Sequence, residues 1–487
     1  MKHLSFLHRI YVLLLVGLMS QPLWAQARLK PRVLVLTDIE ADPDDSQSLI
    51  RFLLYANGWD TEGLIATTSI HQKNRVAPET IHQILDAYAK VQPNLLKHES
   101  GYPTGAALKA VVRRGLAVYG MAGVGEGHDS EGSNWIIQQL DKPDDRPLWV
   151  SVWGGPNTLA QALWKIKKTR TPDQAEKLYR KLRVYTISDQ DDSGPWIRKT
   201  FPTVFFISSP GYGYEQATWR GINTTDPGTH PEVISSDWLA QHIQQGHGPL
   251  GALYPDVAYG MEGDSPSFMG LISNGLNDPE HPDYGGWGGR YTFYKPTALP
   301  PRGRFARPDF PPDELETRPL WTNAVDSLYT SALPRKSYLE PALPQPPKGI
   351  QTTIWRWRND FQYDFAARMN WCIKAYPDAN HPPIPALAHP DKLTVTAGDV
   401  FHLSAAGTTD PDGDSMSYLW FQYPEAGTYP GLISFRPYAP NLYDLPVTAP
   451  SVDTPQTIHF ILRVTDKGTP ALSRYKRVIV LVNPKKL

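Results

Sequence analysis

The chain has 487 residues, 48 Lys+Arg against 49 Asp+Glu, a formal net charge of −1 and one cysteine, Cys372. That length exceeds one ordinary domain, the charge balance excludes an electrostatically driven nucleic-acid binder, and a lone cysteine excludes any intrachain disulfide. The chain also carries 47 prolines, which imply long ordered loops and linkers, and 15 tryptophans, which supply core and, through indole faces that stack on sugar rings, point weakly to carbohydrate.

Residues 1–27 read as a signal peptide: Lys2 and Arg9 precede the apolar run YVLLLVGLM, and LWAQA offers small residues for cleavage. The apolar run is too short to span a membrane comfortably. The expected mature protein is soluble, secreted or periplasmic, with no membrane partner once the signal is removed. RVLVLTD (32–38) is an apolar run of the kind that forms a strand buried on both faces. SQSLIRFLLYANG follows with apolar residues at helical spacing and Gly58 as a stop. Strands are then expected at 61–69, 147–153, 182–188 and 203–209, with helices at 78–91 and 157–168. Alternating strands and helices predict a mostly parallel sheet with helices on both faces, which binds ligands beyond the carboxyl ends of its strands.

From residue 296 to 350 the chain is rich in Pro and Arg and reads as an extended wrapping segment, and TTIWRWRNDFQYDFAARMNWCIKAY (352–376) reads as helical. From about residue 389, short apolar runs between turn residues predict a β-sandwich of roughly 100 residues. The expected organisation is a signal peptide at 1–27, an α/β domain at 28–300, a wrapping segment with helix and linker at 301–388, and a sandwich at 389–487. In the sandwich, DPDGD (Asp410, Asp412, Asp414) begins like a calcium loop, but position 421 is Phe where that loop needs an acid, so it reads as a turn.

The stretch LTDIEADPDD gathers Asp38, Glu40, Asp42, Asp44 and Asp45 at the end of the first strand. Helix capping accounts for part of this: Asp42 suits the N-cap, Pro43 the first helical position, and Asp44 and Asp45 the positive end of the helix dipole. It does not account for Asp38 and Glu40, which precede the helix and add repulsion. Carboxylates converging at a strand end point to a hard cation, and calcium takes six to eight oxygen ligands in irregular loops.

This pattern, a strand followed by Asp-x-acid-x-x-x-Asp-Asp and a helix, resembles the calcium-binding signature of nucleoside hydrolases, with Glu40 in place of an aspartate and Ala41-Asp42 in place of Pro-Gly. VWGGPNTLAQAL (152–163) is similar to the family turn whose backbone carbonyl binds the metal, and Trp153 falls at that position. MEGDSPSF (261–268) places Asp264 like the family's late metal-ligating aspartate. Longer stretches, among them GEGHDSEGSNW, YTISDQDDSGPWIRKTFP, NDPEHPDYGGWGGRY and DPDGDSMSYLWFQYPEAGTYPG, resemble a branch of secreted bacterial proteins, described as cellulose-binding, with a nucleoside-hydrolase-like domain and a C-terminal Ig-like sandwich. The resemblance covers nearly all of the chain after residue 27.

The resemblance implies a Rossmann-like, nucleoside-hydrolase-like α/β domain and a calcium ion held by Asp38, Glu40, Asp45, Asp264 and the Trp153 carbonyl. It also implies Glu40 as the base that activates water. Glu262, or one of Asp189, Asp191 and Asp192, is a candidate leaving-group acid; the same residues read equally as loop turns. His71, His128, Asn157, Asp189, Asp192, Trp287 and Arg290 are candidate substrate contacts, with Trp287 either a sugar platform or a plug between glycines. Three functions follow: a secreted calcium-dependent glycoside hydrolase acting on plant or other polysaccharide-derived saccharides, a non-catalytic cellulose-binding protein on that scaffold, and an extracytoplasmic nucleoside hydrolase. The expected partner is a saccharide or polysaccharide, with no nucleic acid.

Overall fold

In the computed structural model the described residues are 29–226, 228–298, 301–303, 307, 310–327, 348–433 and 443–486; the expected signal peptide lies outside them, as does part of the expected wrapping segment. Strand β1 (Arg32–Thr37) is buried at every position because it has a parallel neighbour on each side and helices over both faces. Its neighbours are β2 (Asp60–Ala66) and β4 (Leu148–Val152). With β3 (Val112–Arg114), β5 (Leu182–Thr186), β6 (Phe205–Ser208), β7 (Tyr291–Tyr294) and β8 (Leu320–Asn323), they form one sheet in the order β3-β2-β1-β4-β5-β6-β8-β7. Every pairing is parallel except β7 with β8. The strand order reverses between β1 and β4, which opens a crevice at their carboxyl ends.

Alternate residues of β1 feed two cores. Val33 and Val35 pack with α1 (Asp44–Leu54) and α2 (Pro78–His98) on one face. Leu34 and Leu36 pack with α3 (Glu131–Asp141), α4 (Asn157–Thr169) and α5 (Ser193–Thr200) on the other. Among the described residues no helix is long and apolar enough to cross a membrane.

The segment expected to wrap the surface does more than that. Leu320–Asn323 inserts into the central sheet as β8, pairing with β6 on one side and β7 on the other. The stretch expected to be one helix divides into Thr352–Trp355 and α6 (Arg358–Trp371). Helix α6 is buried nearly all round, and its charges are paired inside: Asp360 accepts from Ser473 and Tyr475, and Asp364 accepts from Tyr55, Arg368 and Arg474.

After a short ribbon of β9 (Asp326–Ser327) and β10 (Lys348–Gly349), the sandwich pairs β11 (Lys392–Thr396), β16 (Ser473–Asn483), β15 (Gln456–Thr465) and β13 (Ser417–Gln422) in that order. A second sheet pairs β12 (Val400–Ser404) with β14 (Asp444–Thr448). The sandwich has its own core around Leu403, Trp420, Phe460 and Val480. Three of its residues, Tyr423, Ile461 and Tyr475, belong instead to the core of the α/β domain.

That junction relocates two expected substrate contacts. Trp287 is 0% exposed, lies edge-on to Phe361 and Tyr475, and donates to the Tyr475 hydroxyl at 3.4 Å, so it is a plug and not a sugar platform. The glycines beside it permit this: a Cβ on Gly285, at φ 75°, would lie 2.3 Å from the Tyr423 hydroxyl. Arg290 is buried and bound to Asp326 Oδ1 at 2.6 Å and to the Val325 carbonyl at 2.7 Å, so its guanidinium is committed to these partners.

Candidate metal and saccharide site

Beyond β1 the chain makes a tight turn in which Ala41 N–H donates to the Asp38 carbonyl at 2.9 Å. Gln72 Nε2 donates to the Asp38 and Ile39 carbonyls at 3.3 and 3.2 Å and holds this turn from outside. Asp38 faces inward, 3% exposed. Helix α1 then begins at Asp44; the Asp42 side chain accepts from Asp44 N–H at 3.0 Å, so it performs the expected capping from just outside the helix. Asp45, one residue on, accepts from the Thr37 hydroxyl. Asp42, Asp44 and Asp45 each offer an oxygen within 4.8 Å of the others.

Two glycine turns close on this group. A Cβ on Gly154 would lie 2.6 Å from Asp38 Oδ1, and one on Gly263 would lie 2.7 Å from Asp44 Oδ2. The second turn delivers Asp264, whose Oδ2 is buried with no hydrogen-bond partner.

These carboxylates cannot all ionise at little cost. Burial, with Asp42 adding to it, pushes Asp38 up to about 6. Burial and the charge of Asp264 push Asp44 well above the usual carboxylate range; burial, Asp38 and Asp264 do the same to Asp45. Asp264 is raised by burial and then by Asp38, Asp42 and Glu262. Converging hard oxygens, mutual repulsion and one orphaned buried oxygen together fit a divalent cation such as calcium. The Trp153 carbonyl accepts from Gln190 Nε2 at 2.5 Å and retains a second lone pair.

Glu40 does not join the group. Its backbone sits at φ 80°, in the left-handed region, and its exposed side chain binds Arg75 and Thr80. The expected base and ligand is therefore turned out of the crevice. Glu262, the expected acid, is 0% exposed and saturated. It takes a fork from Arg51, the Tyr254 hydroxyl at 2.7 Å and the Ser265 hydroxyl at 2.8 Å. A carboxylate with that many donors is a structural anchor.

The aspartates after β5 brace loops. Asp189 takes Arg198 in a fork at 2.8 and 2.9 Å and Gly211 N–H at 2.7 Å. Asp192 accepts from Met121 N–H at 2.7 Å. Asp191, pushed up to about 7 by burial, accepts from Ser193 N–H at 2.8 Å and Asn157 N–H at 3.2 Å and so supports the Gly154-Gly155 turn. Asn157 spends its amide on Thr67, Thr68 and the Val118 carbonyl. His128 has a buried Nδ1 without a partner, and no contact ties it to the acidic group.

His71 is exposed and lies about one ring away from Tyr214 and Phe310, at centroid distances of 6.1 and 6.0 Å. Tyr214 is raised well above its ordinary value by burial and then by the charges of Asp38 and Asp189. Tyr212 packs on Phe310 at 5.3 Å and Trp219 on Tyr214 at 6.1 Å. This aromatic wall was not foreseen. Its signal was the position of SSPGYGYEQATW directly after a strand, at the ligand-binding edge of the sheet.

A strand-order reversal with an acidic crevice beside it is where an open α/β sheet binds its ligand. Residues 32–291 match the family model described as cellulose-binding Sde182, nucleoside hydrolase-like domain, and residues 400–482 match the cellulose-binding protein Sde0182 C-terminal domain. The chain belongs to this cellulose-binding family. It is similar, at 36% identity and TM-score 0.76, to a nucleoside hydrolase-related protein from Saccharophagus degradans associated with carbohydrate metabolism, over 93% of this chain and 100% of that one. Similarity to the effector protein XOO4466, at 13% identity over 61% of this chain and 88% of that one, has a TM-score of 0.28 and carries no argument. The search of curated proteins found no match.

Proposed function

We propose that the protein is an exported saccharide-binding protein whose crevice holds calcium through Asp38, Asp44, Asp45 and Asp264 and takes a β-glucan or related saccharide. The carrying observation is a buried Asp264 oxygen without a partner among the described residues, in the field of Asp38, Asp44 and Asp45, while Glu40 faces away. Calcium in that position would supply coordination for two vicinal hydroxyls. Asp38 and Asp264 orient from opposite turns, and the exposed His71 and half-buried Tyr214, backed by the buried Tyr212 and Phe310, offer ring faces to a sugar. Cleavage of residues 1–27 on export is part of this reading.

A second reading, calcium-dependent glycoside hydrolysis, draws on the exposure of the Arg75–Glu40 pair, whose side chains are 54% and 35% exposed. Exposed pairs hold weakly, so a bound saccharide could draw Glu40 inward to serve as base. The test is retention on insoluble cellulose and a hydrolysis panel of nucleosides, aryl glycosides and cello-oligosaccharides, with calcium and with chelator, on residues 28–487. Calcium-dependent retention without sugar release is the expected result. Chelator-sensitive release makes the protein an enzyme, and chelator-insensitive retention removes the cation from the binding site.

A further inference from the structure

Where α2 ends, two buried imidazoles meet edge to edge. His98 is the last residue of α2, His381 lies in the linker ahead of the sandwich, and Asp412 lies in the sandwich turn Asp410–Asp414. His98 Nδ1 is 2.9 Å from His381 Nε2, and His98 Nε2 is 3.0 Å from the Lys374 carbonyl oxygen. His381 Nδ1 is 2.9 Å from Asp412 Oδ1, and the His381 backbone N–H donates to Asp412 Oδ2 at 2.7 Å. Turning either ring over would place carbons at both of its contacts, so the geometry itself assigns the nitrogens.

The hydrogens can then be counted. Three contacts run in series: carboxylate to imidazole, imidazole to imidazole, imidazole to carbonyl. The carbonyl and the ionised carboxylate only accept, and each contact needs one hydrogen. Two neutral imidazoles carry two. We infer that His98 and His381 together hold one proton beyond neutrality, facing Asp412, and that this proton makes the junction of helix, linker and sandwich a pH-sensitive clasp.

The surroundings suit such a charge. Trp371 stacks on His98 at 5.3 Å with ring planes 1° apart, and Tyr376 stacks on His381 at 3.9 Å and 16°. Each stacked aromatic face stabilises a cation on the imidazole that it covers, and a helix C-terminus favours positive charge. Burial, and then the His381 ring, hold His98 below its ordinary value, against the pull of the Lys374 carbonyl. That fits a pair that takes one proton, kept next to Asp412, and resists a second.

The other charges nearby are committed or opposed. Just past α2, Glu99 is paired with Arg368, while Lys97 in its last turn opposes the added proton. On the sandwich side, Asp410 accepts from Asp412 and Asp414 N–H and so closes its own turn. Asp466, pushed up to about 6 by burial, is taken by Leu472 and Gly468 N–H and by Asn380.

The folded chain thus keeps a proton that a free histidine releases above about pH 6.5. The clasp's contribution to stability is full in mild acid and is lost as pH rises and the proton leaves. The test uses the mature chain with ¹⁵N-labelled histidine, and His98→Gln and His381→Gln variants to assign the signals. At pH 7 three of the pair's four ring nitrogens should be protonated; two of four, at both pH 7 and pH 6, overturns the inference. In thermal unfolding from pH 6 to pH 9, the wild-type advantage over Asp412→Asn should shrink by on the order of 2 °C or more. An advantage that does not change with pH equally overturns it. Should Asp412→Asn fail to fold, the nitrogen count in the wild-type chain decides alone.

Discussion

Asp264 carries a buried oxygen without a partner among the described residues, and its neighbours are carboxylates that raise its affinity for a proton. Asp264→Asn replaces that charge with a neutral amide of similar shape. In chelator the variant should melt above the wild type, and it should lose the stabilisation that calcium gives the wild type, as scanning calorimetry with and without calcium would show. The same crowding sets a pH dependence. Asp38 is pushed up to about 6 and Asp191 to about 7, both mainly by burial. The contribution of these two groups to metal-free stability is therefore full below about pH 4 and falls as pH rises to about 7, with Asp38 worth roughly 3 kcal/mol. Chemical unfolding in chelator across that range should show the fall, and calcium should reverse it at pH 7. The Glu262 oxygens, by contrast, are already bound. Glu262→Gln removes the partner of a buried Arg51 and should cost about 3–5 kcal/mol in urea unfolding. A stable variant with lost sugar release would return Glu262 to the role of acid.

At the level of elements, the site is made by turns that leave no room for a side chain. A Cβ on Gly155 would lie 2.3 Å from Asp191 Oδ2 and 2.8 Å from the Thr68 carbonyl. Gly155→Ala should therefore cost roughly 1–3 kcal/mol and weaken calcium binding by displacing the turn against Asp38; isothermal titration reads the second effect. The central elements were legible because their signals are strong: an apolar run with no wet face for β1, helical spacing and an acidic start for α1, a repeated strand–helix rhythm for the parallel sheet. Asp38 was legible as an acid placed where a strand ends, and Asp264 only through the resemblance of MEGDSPSF to the family's motif. Glu40 was not, because its direction depends on a backbone rotation to φ 80° and on Arg75, which is 35 residues away. Nor was β8, a four-residue strand inside a Pro- and Arg-rich stretch whose pairing comes entirely from neighbours distant in sequence. Helix α6 hides its charges among partners from both domains, so its sequence shows little of the one-sided apolar pattern that marks a surface helix.

Across the whole molecule, the sandwich is set into the α/β domain instead of being tethered to it. The sequence shows a linker and then a run of short strands, which marks the sandwich as a domain of its own. The contacts say otherwise: Arg477 donates to the Leu276 and Gly285 carbonyls, each at 2.9 Å, and Tyr423 donates to Asp326, which also binds Arg290 and Arg356. Trp287, Phe361, Tyr423 and Tyr475 form one apolar seam across the junction. Trp287→Ala should cost about 3–5 kcal/mol, as for a buried aromatic in any core. Removal of residues 389–487 should do more, since it exposes that seam and leaves Asp326, Asp360 and Asp364 short of partners inside the remaining domain. Limited proteolysis of the full chain is the direct measurement. One cooperative unfolding step with no protease-resistant α/β fragment is the expected outcome, because each part completes the other's core. A stable fragment ending near residue 388 that retains calcium binding would mean that the crevice stands without the sandwich.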